Sequence, residues 1–504
     1  MPEAVEPPYD PLSQATEQAL PVAATPSMRG AAAEPEAVLL TEEPPAPGTS
    51  TKLTGRAFSR YMLLYSFAAL GIFAIWGAIG GILLPNQVQG IEFARFFVGP
   101  DAAVNLADLQ NLKTQVEAGA VQATAEQQRL LGLLAQFDAA RAQGLATVTA
   151  FGVFVTMFVQ PIAGVLSDRT RSPWGRRAPW IAGGAVLGAL LLIALRYSNT
   201  IVFMAIFWAL AQLIINVAQG PLTTTVADRV PPEKIGTASA ISGLGLMLGA
   251  ILGSVAAGIL FGSLGLDAYY PFAVSLAVLP VLFVLIARDQ SSKELAVEPL
   301  HWGKFFASFL IPLRDADYRW VWIAKIVMMF GYTVSTAFSF YMLQGYVRPA
   351  LSPAEATATA PLLGLVGLPG MLVAMVVAGR WSDRIRRRKP FVFWTSILMA
   401  ASFVIPLVSP TLPALFAQAI VGGMAMGAYM VVDQALFIDV IEDKRTAGRD
   451  LGMSSLGGNF GQAIGPIVAG QVVALTGGYL AVWVVASVIV LIAAVAIIPV
   501  KRVA

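Results

Sequence analysis

The chain has 504 residues, of which 57% are hydrophobic and only 12% charged, and its formal net charge is +3. A soluble domain carries roughly 25% charged residues, so water is excluded as the main solvent, and so small a positive balance gives a nucleic acid nothing to bind. Cysteine is absent, which removes disulfides, thiolate metal sites and cysteine nucleophiles together.

Residues 1–50 are rich in Pro, Ala and Glu and lack an apolar run with a cleavage site, so 1–55 reads as a disordered cytoplasmic tail. From there to the C-terminus, apolar stretches of about 20 residues recur, each long enough to cross a bilayer. They fall at 61–85, 145–167, 178–195, 201–227, 237–261 and 270–287, then at 320–343, 360–381, 391–409, 412–439, 452–475 and 479–499. The expected fold is an all-α membrane protein: twelve transmembrane helices in two six-helix pseudo-repeats, with both termini cytoplasmic. The first bundle is 56–288, with an external helical insert at 90–144. A cytoplasmic central loop, 289–319, leads to the second bundle, 320–504. In the insert, Leu106, Leu109, Leu112 and Val116, then Leu130, Leu134 and Phe137, keep helical spacing. With this topology 26 of the 33 Lys and Arg residues fall on the cytoplasmic side, as the positive-inside rule requires of a plasma-membrane protein. His301, the one histidine, lies in the central loop beside Trp302 and Lys304, where a packing or interfacial role is expected.

The two halves echo one another. Gly236, Gly245, Gly249, Gly253 and Gly258 each precede by a constant offset Gly448, Gly457, Gly461, Gly465 and Gly470. Gly164, Ser167, Asp168 and Arg169 stand in the same way to Gly379, Ser382, Asp383 and Arg384. Self-similarity at a fixed offset marks a duplication. Two similar halves can close alternately on either side of a central site, while glycines also serve simply to let helices pack closely.

The run Gly164-Val-Leu-Ser-Asp168-Arg169-Thr-Arg-Ser-Pro-Trp-Gly175-Arg176-Arg177 resembles the loop signature between spans two and three of the major facilitator transporters. The longer string, from Val159-Gln160-Pro161 to Ala178-Pro179, is similar to that of the sucrose/proton symporters in the glycoside-pentoside-hexuronide group. The resemblance implies a major facilitator fold and a sugar carrier. It implies a gating latch at Gly164, Asp168, Arg169, Gly175, Arg176 and Arg177, echoed at Gly379, Asp383 and Arg384. Melibiose-type sodium symporters of that group carry two carboxylates at positions matching Thr156 and Gln160. Neither is a carboxylate here, so the oxygen cage a hard cation needs is missing. Asp168 ends a helix where the dipole is already negative, so it seeks Arg169, Arg176 or Arg177, or another helix's N-terminus.

Charge inside a span is expensive and marks function. Lys325 and Asp433 are the two clear cases, each six residues from a charge at the cytoplasmic end of its span and hence about 9 Å deep. By the resemblance, spans one, four, seven and ten line the cavity, so these residues are expected to pair across it. Asp433 is then the candidate proton carrier; the bland alternative is a snorkelling lysine and a static bond. Tyr65 and Trp76 on span one, Gln212, Asn216 and Gln219 on span four, Tyr332 and Thr336 on span seven and Tyr429 on span ten are the candidate cavity wall. Amides there would supply hydrogen bonds to hydroxyls, and aromatic faces would cover sugar C–H surface. Amides also glue helices, the reading preferred for Asn459 and Gln462.

The expected function is secondary transport of a small solute, a sugar or glycoside, coupled to protons. The expected partners are solute, proton and lipid bilayer, without cofactor or metal. An efflux carrier is the rival, and a non-transporting sensor on the same fold is an alternative of another class. An enzyme is not expected, because no Gly-x-Ser-x-Gly, histidine cluster or phosphate-binding Gly-x4-Gly-Lys loop is present.

Overall fold

The computed structural model describes residues 52–156, 159–295, 302–441 and 447–502. Most of the tail read from the sequence, and His301, lie outside them. The first set of helices is α1 (Gly55–Ile75), a π-helical stretch Trp76–Leu83, α2 (Leu84–Phe96), α3 (Leu106–Glu117), α4 (Ala125–Thr156), α5 (Val159–Asp168), α6 (Ala178–Arg196), α7 (Ile201–Arg229), α8 (Ile235–Leu264) and α9 (Tyr269–Ile286). The second is α10 (Trp302–Phe309), α11 (Ala316–Thr336), α12 (Ser339–Gly345), α13 (Pro353–Ile385), α14 (Lys389–Val408), α15 (Leu412–Val440), α16 (Ala447–Thr476) and α17 (Leu480–Ala496).

Helix starts follow local chemistry. Thr200 and Asp315 accept from the backbone N–H of Phe203 and Tyr318 to cap α7 and α11. Ser352 and Glu355 form a reciprocal capping box on α13. Proline sits in the first turn of α6, α13, α14 and α15, where no N–H is needed.

Eight helical runs among the described residues are long and apolar enough to cross a membrane, against the twelve expected. One run, Pro232–Ile286, contains both α8 and α9. Within the stretch expected at 145–167, α4 is described to Thr156 and α5 from Val159, residues 157–158 lying outside the described ones. Asn459, Gln462 and Gln471 dilute the apolar content of α16, and α17 is apolar but only 17 residues long.

Within the first set, α1 packs on α8 and α9, α6 on α7 and α9, and α4 on α7; within the second, α11 packs on α16 and α17, α14 on α15 and α17, and α13 on α15. The sets meet where α4 packs on α16 and α8 on α13. Glycines make these contacts possible. A Cβ on Gly253 would lie 2.2 Å from the Ala74 carbonyl oxygen, and one on its counterpart Gly465 2.2 Å from Thr333 Oγ1. Farther along the same helices, a Cβ on Gly258 would meet the Thr357 carbonyl at 2.9 Å, and one on Gly470 the Ala146 Cβ at 3.0 Å. Equivalent glycines of the repeat therefore pack first within a set and then across the sets.

The insert is largely an extension of membrane helices. The first helical run continues from Gly55 to Phe96 without a break, and α4 starts at Ala125, 20 residues before the expected span. Phe97, Leu109, Leu134 and Phe137 form a separate small core beneath α3.

Candidate functional site

Lys325 on α11 and Asp433 on α15 meet, with Nζ 3.0 Å from Oδ2 and both side chains largely buried. Each charge has further support. Tyr429, one turn earlier on α15, donates its hydroxyl to Asp433 Oδ1 at 3.1 Å. The Lys325 ammonium donates to Ser454 Oγ at 2.9 Å and stands 5.0 Å from the centre of the Phe437 ring. Gly458 leaves room for the lysine stem, since a Cβ there would lie 3.5 Å from its Cε. A carboxylate, a phenol, an ammonium and a hydroxyl thus share one buried network across three helices. Losing or gaining one proton at the carboxylate makes or breaks the charge balance of the pair.

A second network lies at the end of α5. Arg177 reaches Asp168 Oδ1 at 2.5 Å, Asp228 Oδ2 at 3.0 Å and Ser167 Oγ at 2.6 Å. Arg176 reaches Asp228 at 2.7 Å and Asp168 at 3.7 Å. Gly175, at φ +90°, makes the turn that brings both arginines round, and a Cβ there would press on Asp289 at 2.8 Å. In the second set, Arg388 bridges Asp383 at 3.1 Å and Asp439 at 2.6 Å, while Ser382 bonds back to the Gly379 carbonyl. Arg384 is exposed, and the arginine that pairs with Asp383 is Arg388. Arg169 lies beside the first cluster in sequence and is half-buried.

Asp228, Arg388, Asp439 and Ser454 escaped the sequence reading of the site. A signal for three of them was present: Arg177 and Asp228 stand to Arg388 and Asp439 at one shared offset, close to that of the glycine repeat.

The expected cavity residues divide. Trp76 opens the π-helical stretch, donates from Nε1 to Gln219 Oε1 at 2.9 Å and meets Trp208 edge-on at 6.1 Å. A π-turn widens a helix and often marks a functional position. Gln212 instead packs on Gly152, where an added Cβ would lie 2.0 Å from its Nε2, and Asn216 donates to the Gln212 carbonyl. Tyr65 is buried and accepts from Ser242 at 2.8 Å. Tyr332 is half-buried, and the exposed Thr336 bonds back to its carbonyl.

At the insert end, Arg141 is 1% exposed. Its guanidinium lies 2.8 Å from Asp138, donates to Gln89 and Gln344 at 2.9 and 3.2 Å, and stacks over Phe137 and Tyr341 at 5.0 and 4.7 Å. Gln344 and Tyr341 belong to α12, in the second set. Tyr341 also donates to the Pro85 carbonyl, the Ala350 amide to Asn111, and Lys113 to the Gly477 carbonyl. The described polar bonds between the two helix sets gather at this end.

The sequence model described as Major Facilitator Superfamily matches residues 62–375 and 322–504. Among curated proteins, a sucrose transport protein of Oryza sativa subsp. japonica is 32% identical over 125 residues, 20% of this chain and 23% of that protein. The general alpha-glucoside permease of Schizosaccharomyces pombe is 28% identical over 155 residues, 27% of this chain and 28% of that protein. The matches thus span about a quarter of these relatives' length. Among solved structures, the nucleoside transporter NupG superposes with a TM-score of 0.64 at 13% identity, over 88% of this chain and 99% of that one. A bacterial homolog of the human lysosomal transporter Spinster, inward-facing and occupied, superposes with a TM-score of 0.61 at 13% identity, over 90% and 98%.

Proposed function

The chain belongs to the Major Facilitator Superfamily, and on that footing we propose that it carries a small glycoside together with a proton by alternating access. At the coarser level it is a multi-pass integral membrane protein and a secondary transporter of a small solute, not an enzyme. The observation that carries the proton reading is the buried Lys325–Asp433 pair with Tyr429 and Ser454 around it. With a proton on Asp433 the ammonium keeps Ser454 and the Phe437 face, so the pair can separate without stranding a naked carboxylate. The glycoside reading draws on the partial likeness to a sucrose transport protein and an alpha-glucoside permease. It also draws on Gln219, which accepts from the Trp76 indole, and on Trp208, whose ring meets that indole edge-on.

Twelve spans in two repeats belong to the same proposal. Its support is the packing: each helix pair of the first set has a counterpart in the second, and the two cross-set pairs exchange under the same correspondence. Closure at the Arg141 end then leaves the central site opening toward the arginine-rich face.

The test is uptake of radiolabelled sucrose, maltose and trehalose into proteoliposomes, with and without an inward proton gradient, in wild type and Asp433→Asn. Expected are gradient-driven accumulation by wild type and its loss in the variant, with sugar exchange retained. Absence of sugar movement by wild type under both conditions overturns the glycoside reading; gradient-driven accumulation by the variant overturns the role of Asp433.

A further inference from the structure

Two cavities open side by side on the outer surface of α14, on the face that carries the Arg388 network, and both are lined by Arg387, Pro390 and Trp394. The first, about 690 Å³, has Lys389 and Lys501 among its other walls. The second, about 480 Å³, is lined otherwise by Trp381, Ile385, Phe391, Thr395 and Leu398. Arg387, Lys389 and Lys501 line the first chamber, whereas the second shares only Arg387 among these cations and is otherwise a largely apolar groove running along α14.

The cations are not equally engaged. Lys389 donates to the carbonyls of Ile498 and Val500, just beyond the end of α17. Arg388, next in line, bridges Asp383 and Asp439. For the Arg387 guanidinium and the Lys501 ammonium, both exposed, the described residues supply no carboxylate within ion-pair distance. Beside them Trp394 is 65% exposed and Trp381 57%, the latter meeting Phe391 edge-on at 5.5 Å.

A soluble anion would satisfy the cations but leave the aromatic groove unfilled, and a zwitterionic lipid would fill the groove but bring its own cation to the arginine and lysine. The ligand that matches both chambers has a net negative headgroup and a hydrocarbon chain. We propose that this pair of cavities is a binding site for an anionic phospholipid. Its phosphate sits between Arg387 and Lys501, and one acyl chain runs past Trp394 along Trp381, Phe391 and Leu398. The site is independent of what the transporter carries, so its test uses lipid binding rather than transport.

The full chain, purified in detergent, is titrated with phosphatidylglycerol or phosphatidylcholine of identical acyl chains, and retained lipid is counted by native mass spectrometry. Wild type is expected to retain phosphatidylglycerol about tenfold better, since basic residues near the surface each attract anionic lipid appreciably. Arg387→Gln/Lys501→Gln should remove that preference, and Arg387→Lys/Lys501→Arg should keep it. Trp394→Ala should weaken retention of both lipids. Arg56→Gln, at an exposed cation that lines neither cavity, should match wild type, and thermal melting checks that every variant is folded. Equal retention of the two lipids by wild type, or an undiminished preference in the double glutamine variant, overturns the proposal. Displacement of phosphatidylglycerol by inorganic phosphate alone overturns it in favour of a soluble anion, and unchanged retention in Trp394→Ala overturns the acyl groove.

Discussion

Lys325 and Asp433 hold opposite charges out of water, and a pair so placed is worth less as a source of stability than as something costly to break. Removing one partner strands the other and costs about 3–5 kcal/mol, whereas removing both avoids most of that penalty. Lys325→Ala and Asp433→Ala are each expected to lower the melting temperature of the purified protein clearly, and Lys325→Ala/Asp433→Ala to lower it by much less than the sum. Strict additivity would show that the two charges do not depend on one another in the folded protein. Trp322 sets the lysine's surroundings from one turn earlier: its Nε1 donates to the Met453 carbonyl at 2.9 Å, and Gly457 leaves the room it needs.

Helix packing depends on which glycines face a neighbour, and the repeat contains both kinds. Gly253 and Gly461 meet backbone carbonyls at 2.2 and 2.4 Å from an added Cβ, whereas Gly236 and Gly245 face open space. Overpacking costs about 1–3 kcal/mol, and in a helix that must slide it also blocks motion. Gly253→Ala and Gly461→Ala should therefore lower both melting temperature and solute exchange, with Gly245→Ala close to wild type in both; equal effects at all three positions would remove the packing role. The sequence shows why some of this was readable. Spacing and offset are visible in a string of letters, so the repeat, the helical spacing and the two charges within spans could be read directly. Which arginine of a run closes a salt bridge depends on how the turn delivers it, so Arg388 rather than Arg384 pairs with Asp383. Whether an amide faces a cavity or a neighbouring helix depends on rotation about the helix axis. That is why Gln212 packs on Gly152 while Gln219, two turns along α7, meets Trp76.

Across the whole molecule, the two helix sets are held by bonds at the insert end, and Arg141 is the centre of that closure. It is fully buried, sits between two aromatic rings and bonds to amides from both sets. Opening this end must pull Gln344 and Tyr341 away from a guanidinium that Asp138 keeps in place from its own helix. Arg141→Ala removes the cation common to these contacts and is expected to shift the protein toward the state open at the insert end. The absence of native cysteine makes this measurable. Thr357, 2% exposed, donates to Asn86 at 3.2 Å across the sets, so Thr357→Cys places a single thiol in the closed seam. A membrane-impermeant maleimide added to vesicles in which the insert end faces outward should label Thr357→Cys slowly, and Thr357→Cys/Arg141→Ala severalfold faster. A population shift of about 1.4 kcal/mol is a tenfold change in the open-to-closed ratio, well within what losing a buried charged contact supplies. Equal labelling rates in the two backgrounds would mean that Arg141 stabilises the insert without gating the path, and the closure would then rest on Tyr341, the Ala350–Asn111, Lys113–Gly477 and Thr357–Asn86 bonds and the α4–α16 and α8–α13 glycine contacts.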